Sequence, residues 1–344
     1  MFQLRRVLTY GLEKLASAVL TIFVIVTVVF ILSKLVPGDE ARVVAGPTAS
    51  LTQVEEVRRR LGLTGSVFQQ YLNYIGRLAH GDLGASEMNH APVLSSVMAV
   101  IPSTAELVIT ATLIVILIAF PLAAWSTLRH SRSGETIRRV LVIVAAGIPS
   151  FWLALVLQQV LASELGIFPI SGNVSLGVSV PEITGASTLD ALLSGNVIAV
   201  GNSVWHLILP AFALALPYSG QLFRVLRAEM LSVDTRLHIT VARAVGVQKG
   251  RLVTHHVLPQ VLTPAISIIG VEFGALFAGA VLVESIFNRP GIGSYLLTAV
   301  ANKDIPSLLG GVLVIGLIVV LANYVVDIAQ VVRDPRLRSV EFGS

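Results

Sequence analysis

Apolar residues occur along this chain in six long runs separated by more polar stretches. Each run is near or above the roughly 20 residues that an α-helix needs to cross the hydrocarbon core of a bilayer. We therefore predict an all-α polytopic membrane protein. The expected spans are Leu15–Val36, Thr104–Trp125, Val140–Ala162, Val204–Arg224, Leu262–Phe287 and Ser307–Val332.

The first run could be mistaken for a signal peptide, because basic residues precede it. Its apolar core exceeds the 7–15 residues of a signal-peptide core, and no small-x-small cleavage pattern follows it. We interpret Leu15–Val36 as an uncleaved spanning helix.

The positions of the basic residues predict the orientation in the membrane. Lys and Arg cluster before the first run, between the second and third runs, between Arg224 and Arg251, and after the sixth run. The segment Ser163–Ser203 contains Glu and Asp but no Lys or Arg. Short loops rich in Lys and Arg stay on the cytoplasmic side. Both termini and the Arg224–Arg251 loop are therefore expected in the cytoplasm, and Ser163–Ser203 outside.

Composition supports this class and excludes others. Hydrophobic residues make up 54% of the chain and charged residues 13%, with a mean hydropathy of +0.82, outside the range of ordinary soluble domains. The pI is near 9.6, but the Lys and Arg residues lie in short clusters between the apolar runs and do not form one basic surface that could follow a nucleic-acid backbone. No nucleic-acid partner is therefore expected. The chain has no Cys, which excludes thiolate sites, and its His residues lack metal-ligand spacing, so no metal is expected.

The polar stretch between the first two spans is long enough to fold. Thr52 and Glu55 form a capping-box pattern, and Phe68, Tyr71 and Leu78 belong to a second pattern of helical spacing. A plain linker is the alternative, but two amphipathic helices favour a small cap. The predicted organisation is a tail and first helix (1–36), an extracytoplasmic helical cap (37–103), a permease core (104–332) with a cytoplasmic loop (225–256), and a cytoplasmic tail (333–344).

Proline is frequent inside the apolar runs. Pro149 is expected in the middle of the third helix, and Pro210 and Pro217 are expected to break the fourth. Pro259 and Pro264 flank the start of the fifth. Kinked or discontinuous helices are common in transporters, although membrane helices in general contain more Pro than soluble ones.

Ionisable and polar residues inside the spans are costly in hydrocarbon, so they should face the bundle interior or an aqueous path. They are candidates for lining a translocation pathway, and Glu272 is the best single candidate. Pairing between helices is the alternative, particularly for Asn323 and Asp327, which lie one turn apart. The candidate pathway residues are Glu106, Glu272, Glu284, Asn323 and Asp327.

The stretch Ile239–Pro259 is a basic interruption in this apolar chain. Its small residues Ala242, Ala244 and Gly246 leave room for a partner to approach closely. The chain contains no GxxxxGK[ST] phosphate loop, so it cannot hold a nucleotide in the way that loop does. If transport is driven by ATP, the ATPase is a separate subunit that docks on the cytoplasmic face.

Several strings, in order along the whole chain, resemble the permease subunits of ABC importers of the dipeptide, oligopeptide and nickel group. In the first half they are KLVPGDEA (Lys34–Ala41), LGL (Leu61–Leu63), QYL (Gln70–Leu72), GDLG (Gly81–Gly84), IPSTAEL (Ile101–Leu107), IPSFWLAL (Ile148–Leu155) and FPISG (Phe168–Gly172). In the second half they are LPAFALALP (Leu209–Pro217), ARAVG (Ala242–Gly246), AGAVLVESIFNRPGIG (Ala278–Gly293) and DPRLR (Asp334–Arg338).

The resemblance implies a type I ABC importer-like fold in a bacterial or archaeal cytoplasmic membrane. It implies a homologous second permease, two cytoplasmic ATP-binding subunits and an extracytoplasmic substrate-binding protein as partners, besides membrane lipids. This chain is then not an enzyme and carries no cofactor, since ATP and Mg²⁺ are bound by the ATPase subunits. Peptides are the expected substrates, with nickel complexes or other small solutes as alternatives. The implied ATPase-coupling residues are Ala242, Arg243, Ala244, Gly246, His255, Leu258 and Pro259.

The chain departs from the family pattern at two positions that bear on the substrate. Glu272 stands where an uncharged polar residue is more usual, and Asn288 where an aromatic is frequent. A more distant alternative is a secondary transporter driven by an ion gradient, in which the buried carboxylates are proton or ion sites. Six spans without visible inverted halves are few for that class.

Overall fold

The computed structural model describes residues 2–35, 40–46, 48–60, 62–128, 140 and 142–333, and helices dominate it. Its helices are α1 (Phe2–Leu35), α2 (Glu40–Ala45), α3 (Leu51–Arg60), α4 (Val67–Ala79), α5 (Val93–Leu128), α6 (142–147), α7 (Ser150–Leu157), α8 (Ser187–Leu193), α9 (Val197–Asp234), α10 (Leu237–Ala244), α11 (Lys249–Leu252), α12 (Leu258–Ile286), α13 (Ile292–Ala301) and α14 (Ile305–Arg333). The π-helical segments Gln158–Glu164 and Val253–Val257 follow α7 and precede α12. The described residues contain no strand, only an isolated bridge between Ala85 and Pro92.

Five helical segments in the described part of the chain are long and apolar enough to cross a membrane. They are Gly11–Leu35, Val93–Leu128, Val197–Asp234, Lys249–Ile286 and Ile305–Ile328. Each overlaps a predicted span, but the helices extend past the predicted bounds. Apolar composition marks only the part of a helix that meets hydrocarbon, whereas the helix continues into the polar region.

The predicted third span is not one continuous helix. Helix α6 ends at Gly147, Ile148 and Pro149 are not helical, and α7 begins at Ser150. Proline lacks an amide hydrogen and disfavours helical backbone at the residue before it, so the helix stops there. The placement of Pro149 in mid-helix was therefore wrong.

The expected breaks at Pro210 and Pro217 were also wrong, because α9 continues through both residues. The two prolines lie seven residues apart and are both buried, so they share the face that packs into the bundle. Neighbouring helices support a membrane helix at such positions. Pro264 likewise lies inside α12, and Pro259 lies where the π-helical segment Val253–Val257 continues into α12.

The core lies between α5, α9 and α12, with α7 packed against them. Small residues permit the close approach of these helices. A Cβ on Gly220 of α9 would lie 3.0 Å from the Cβ of Ala146 on α6. Hypothetical Cβ atoms on Gly270 and Gly274 of α12 would lie 2.5 and 2.9 Å from side chains of α14. Helix α1 packs on the outer side of α14 and is the least buried of the five spans.

The segment before α5 contains the two predicted amphipathic helices, with a different start for the first. The cap of α3 uses Ser50 and Gln53: Gln53 N donates to Ser50 Oγ (3.3 Å), and Ser50 N donates to Gln53 Oε1 (2.8 Å). The capping-box spacing occurs twice in this stretch, at Ser50 with Gln53 and at Thr52 with Glu55. The predicted pair, Thr52 and Glu55, lies two residues after the observed one. Ser66 caps α4, as its Oγ accepts from Gln69 N. Helix α5 begins at Val93, inside the range predicted for the cap.

Candidate functional site

The candidate coupling segment, which is predicted to be cytoplasmic, folds as a short helix with a well-formed end. Helix α10 stops at Ala244, and Gly246 takes a left-handed backbone conformation, with φ of +86°. Val247 N donates to Ala242 O (3.1 Å) and Gly246 N to Arg243 O (3.2 Å), the two bonds of a Schellman motif. Glycine suits this position because it has no Cβ to clash in the left-handed region. Gly246 therefore ends α10 with a left-handed residue.

Helix α10 has one face toward the protein and one that no described residue covers. Ile239 is fully buried, and Ala242 packs against the core. On the opposite side Leu237 and Val245 are 79% and 75% exposed, and Ala244 between them is also exposed. An apolar strip of this kind on a short polar loop is typical of a protein interface.

Polar contacts within the chain hold α10 in place. Arg243 Nη2 donates to Asp234 Oδ1 at 2.6 Å, which fixes α10 to the end of α9. Arg236 Nη1 donates to Gln260 Oε1 (2.9 Å), and Gln260 Nε2 lies 2.9 Å from His238 Nε2. Gln260 thus connects α10 with the first turn of α12, a role that sequence reasoning missed.

The remaining predicted coupling residues lie at the start of α12. His255 is exposed, with Nδ1 at 2.8 Å from Thr254 Oγ1. Leu258 packs against the core, whereas Pro259 is exposed. The roles assigned to these residues in coupling stay predictions.

One predicted pathway carboxylate, Glu106, pairs with a buried arginine, and a second, Glu284, is buried near the same turn. Arg289, in the turn between α12 and α13, is 1% exposed, and its Nη2 donates to Glu106 Oε2 at 3.3 Å. Glu106 Oε1 also accepts from Thr188 N (2.8 Å), so this carboxylate caps the first turn of α8. Glu284 is fully buried, and its Oε2 accepts from Gly293 N at 2.7 Å.

The turn that carries Arg289 joins several distant strings of the sequence. Ile292 N donates to Thr104 Oγ1 (2.8 Å), and Gly172 N donates to Phe287 O (2.8 Å). Gln158 Nε2 donates to Ile286 O at 2.8 Å. The segments Ile101–Leu107, Phe168–Gly172 and Ala278–Gly293 thus form one buried cluster, here called the Arg289 cluster. Its residues are Thr104, Glu106, Gly172, Glu284, Phe287, Arg289, Ile292 and Gly293.

Sequence reasoning did not assign a role to Arg289, although a signal was present. Arg289 directly follows an apolar span on the side predicted to lack basic residues. A basic residue outside the clusters that set the topology needs a local partner, and the carboxylate of Glu106 supplies one. Asn288 has a φ of +47°, a conformation that Asn tolerates better than an aromatic residue does.

The other pathway candidates lie apart from this cluster. Glu272 is 5% exposed inside the bundle, and neither of its carboxylate oxygens has a hydrogen-bond partner among the described residues. Asp327 Oδ2 lies 3.2 Å from Lys14 Nζ, so this pair joins α14 to α1. Asn323, one turn earlier, is exposed. The Lys14 contact is a pairing between helices, the alternative to a pathway role for Asp327.

Asp304 anchors the start of α14 and was also missed from the sequence. This carboxylate is 2% exposed and accepts from Ser86 Oγ (2.5 Å), Ser307 Oγ (2.8 Å) and Glu87 N (3.1 Å). It thereby ties the segment before α5 to the turn between α13 and α14. Burial raises the pKa of Asp304, but the hydrogen bonds from Ser86, Glu87 and Ser307 outweigh it and hold the pKa below its ordinary value.

We expect Asp304→Asn to lower stability at neutral pH by about 1–3 kcal/mol, because hydrogen bonds to a charged acceptor are weakened or lost. A carboxyl with a depressed folded-state pKa stabilises the fold above its unfolded pKa of about 4 and loses that effect as the pH falls through the folded value. The stability difference between wild type and variant should therefore shrink below about pH 4. Thermal unfolding in detergent from pH 7 to 3 measures it, with Glu56→Gln on the exposed side of α3 as control. A pH-independent difference would contradict this account.

No group of three or more His, Asp or Glu side chains in the described part of the chain is arranged to hold a metal ion. The DPRLR string at Asp334–Arg338 and the basic residues within 129–139 lie outside the described residues.

Comparison with known proteins relates this architecture to transport. Residues 116–339 match the family model of the binding-protein-dependent transport system inner membrane component, and residues 7–111 match the model of the N-terminal part of such membrane components. The probable D,D-dipeptide transport system permease protein DdpB of Escherichia coli K12 is 37% identical over 320 residues, covering 93% of this chain and 94% of the relative.

Two further relatives match over nearly their whole length. The di/tripeptide transport system permease protein DppB of Pseudomonas aeruginosa UCBPP-PA14 is 34% identical over 96% of this chain and 99% of its own. The glutathione transport system permease protein GsiC of Escherichia coli O6:H1 is 28% identical over the same shares. The chain therefore belongs to the family of inner membrane components of binding-protein-dependent transport systems.

Proposed function

We propose that this chain is one of two permease subunits of an ATP-driven ABC importer of short peptides. The observation that carries the proposal is the match over 93–96% of the chain to permeases named for dipeptide and di/tripeptide transport. The relative named for glutathione transport favours a second candidate of the same architecture, an importer of another small solute. A nickel complex also remains an alternative.

The proposed topology has six spans, with both termini in the cytoplasm. The broken segment from α6 through Glu164 supplies the third crossing, since an even number of crossings returns the C-terminus to the side of the N-terminus. Basic residues of α10 and α11 then lie in the cytoplasm, and the Arg289 cluster lies on the outer side, as the distribution of Lys and Arg favours. The helices α2, α3 and α4 belong to the proposed extracytoplasmic segment.

Two cytoplasmic ATP-binding subunits drive the cycle in this proposal, and an extracytoplasmic binding protein delivers the substrate. ATP and Mg²⁺ are bound by the ATP-binding subunits, not by this chain. The exposed strip of α10 supports the docking of such a subunit, because no described residue covers the apolar side chains at Leu237, Val241 and Val245. Motion of the ATP-binding subunits then reaches the pathway through α10 and α12, which Gln260 connects.

Glu272 is the carboxylate that we propose to line the translocation path. It lies inside the bundle, and a buried carboxylate without hydrogen-bond partners is costly unless water or another group reaches it. Glu106 and Glu284 are committed to the Arg289 cluster by hydrogen bonds, which favours an architectural role for both. Glu272 is therefore the pathway candidate to test before the others.

The docking role is tested by Ala244→Arg with Ala244→Ser as its matched control. Ala244 is exposed between Leu237 and Val245, so a bulky charge there should hold a partner away, whereas serine keeps the small size. We expect substrate uptake to fall at least about tenfold in the arginine variant, which corresponds to about 1.4 kcal/mol of lost docking free energy. The serine variant should transport normally. Uptake and substrate-stimulated ATP hydrolysis are measured on the co-purified complex in proteoliposomes.

Unchanged uptake in Ala244→Arg would refute the docking role. A chain that purifies without partners and transports alone would refute the ATP-driven importer and favour the ion-gradient alternative. The substrate itself is tested by mass spectrometry of the ligand bound to the co-purified extracytoplasmic binding protein, with a peptide as the expected result.

A further inference from the structure

Helix α4 has an apolar side that extends beyond the part covered by the rest of the chain. At 100° per residue, Tyr71, Tyr74 and Leu78 share one face, and Phe68 and Leu72 lie beside it. No residue of α4 is buried: Phe68 is 70% exposed and Leu72 is 52% exposed. The opposite side is polar and uncharged except for Arg77.

The covered part of this apolar side packs against α1. Tyr71 Oη lies 2.6 Å from Thr27 Oγ1, and the Tyr71 ring centroid lies 5.1 Å from that of Phe30. The rings of Tyr74 and Phe30 are 5.6 Å apart. The contacts move from Thr27 toward Phe30 as α4 proceeds, so the end of α4 near Arg77 lies closer to the end of α1 near Lys34.

These contacts give the depth of α4 relative to the bilayer. Lys14 and Lys34 bracket the apolar stretch of α1, and at 1.5 Å per residue the helix between them is about 30 Å long, the thickness of the hydrocarbon core. Thr27 then lies about 10 Å below Lys34 along the helix. A helix that touches Thr27 and Phe30 is therefore beside the part of α1 that spans hydrocarbon.

We propose that α4 is an interfacial helix that lies beside α1, with Phe68 and Leu72 among the acyl chains of membrane lipids. Its exposed apolar side continues the exposed surface of α1, where Val24 is 51% and Ile31 is 50% exposed. An amphipathic helix in a membrane interface inserts its apolar face about 5–10 Å below the headgroups. Tyr71 contacts Thr27 and also Phe23, whose ring centroid is 6.2 Å away, so the first half of α4 lies at or below that depth. Arg77 lies over the Tyr74 ring at 6.0 Å, at the end of α4 nearer to Lys34 and the headgroups.

This lipid contact does not depend on the transported solute. The topology proposed above assigns α4 to the outer leaflet, and only this assignment rests on the proposed function. The segment between the first two spans is then a membrane-attached element rather than a free external cap. Its attachment fixes the position of α3 and of the chain that leads to α5.

Adjacent residues of α4 provide a matched pair for the test. The chain has no Cys, so Phe68→Cys and Gln69→Cys each introduce a unique thiol into this subunit. Membranes containing the assembled transporter are treated with a charged, impermeant maleimide, after which the tagged chain is isolated under denaturing conditions. Val19→Cys on the exposed side of α1 serves as the lipid reference, and Glu56→Cys on α3 as the water reference.

We expect Phe68→Cys to react at least about tenfold more slowly than Gln69→Cys, because a thiol among acyl chains stays protonated and out of reach of the reagent. A rate for Phe68→Cys equal to that of Glu56→Cys would overturn the proposal. The photocross-linking residue benzoylphenylalanine at position 68 distinguishes a lipid neighbour from a protein neighbour. A phospholipid adduct after irradiation supports the proposal, and a cross-link to another polypeptide overturns it. Labelling of Gln69→Cys from the cytoplasmic side alone would refute the proposed topology while leaving the lipid contact in place.

Discussion

Replacing Arg289 by methionine is expected to destabilise the folded chain by about 3–5 kcal/mol, the cost of removing one partner from a buried ion pair. Arg289 and Glu106 have side chains that are only 1% and 9% exposed, and Glu284 is fully buried close by. Without the guanidinium these two carboxylates would share an apolar site with no compensating charge. The turn between α12 and α13 is then expected to open to water.

The matched control is Arg243→Met, which removes an arginine from a second ion pair of the same chain. Arg243 is 50% exposed, and exposed pairs contribute about 0–1 kcal/mol, although the distance to Asp234 is shorter at 2.6 Å. Thermal unfolding of the purified protein in detergent compares the two variants. Adding Glu106→Gln to Arg289→Met should recover part of the loss, since it removes one of the unpaired charges. Equal losses for Arg289→Met and Arg243→Met would show that burial of the first pair has no energetic consequence.

Five of the six apolar runs correspond to helices long and apolar enough to cross a membrane, because twenty apolar residues in sequence have few alternatives to a spanning helix. They could not predict where each helix ends, since α5 and α9 continue beyond the hydrocarbon into regions of mixed composition. The apolar pattern also could not predict which prolines interrupt a helix. Pro149 lies between two helices and Pro217 lies inside one, and the residue type alone does not distinguish the two positions.

The candidate sites likewise include one feature that the sequence could predict and one that it could not. The end of α10 at Gly246 could be predicted, because a C-terminal glycine acts through local backbone geometry. The Arg289–Glu106 pair could not, since its members lie 183 residues apart and only the folded bundle brings them together. The resemblance strings around both residues point to the same cluster once the structure places them side by side.

Helix α12 connects the two candidate regions. Its first turn contacts α10 through Gln260, and its last turn leads into the Arg289 cluster through Glu284. A helix of 29 residues spans about 43 Å, so one rigid element extends from the proposed docking surface to the outer cluster. In the proposed cycle, the Arg289 cluster therefore keeps the outer end of α12 attached to α5, α8 and α13 while its cytoplasmic end follows α10.

That attachment depends on close contact between α13 and α12, and Gly293→Ala should disrupt it. A Cβ at Gly293 would lie 2.3 Å from Val281 Cα, a backbone atom that no rotamer change can move away, and 2.9 Å from Glu284 Oε2. Overpacking of a core usually lowers the free energy of unfolding by about 1–3 kcal/mol and sometimes by more. A clash with helix backbone is expected to cost at least the upper value of this range, because the backbone cannot move aside. We expect a loss of about 3 kcal/mol or more, or failure to accumulate as folded protein.

Gly201→Ala isolates this steric effect from the general consequence of replacing a helical glycine. Gly201 is also in a helix, and a Cβ there would meet no atom within 4 Å. Its replacement should be neutral or stabilise α9 by roughly 0.5–1 kcal/mol, because alanine has the higher helix propensity. Expression level, resistance to trypsin and thermal unfolding in detergent distinguish the two variants. If Gly293→Ala retained wild-type stability, α13 would have to be free to shift away from α12, and the outer end of α12 would not be held as we infer.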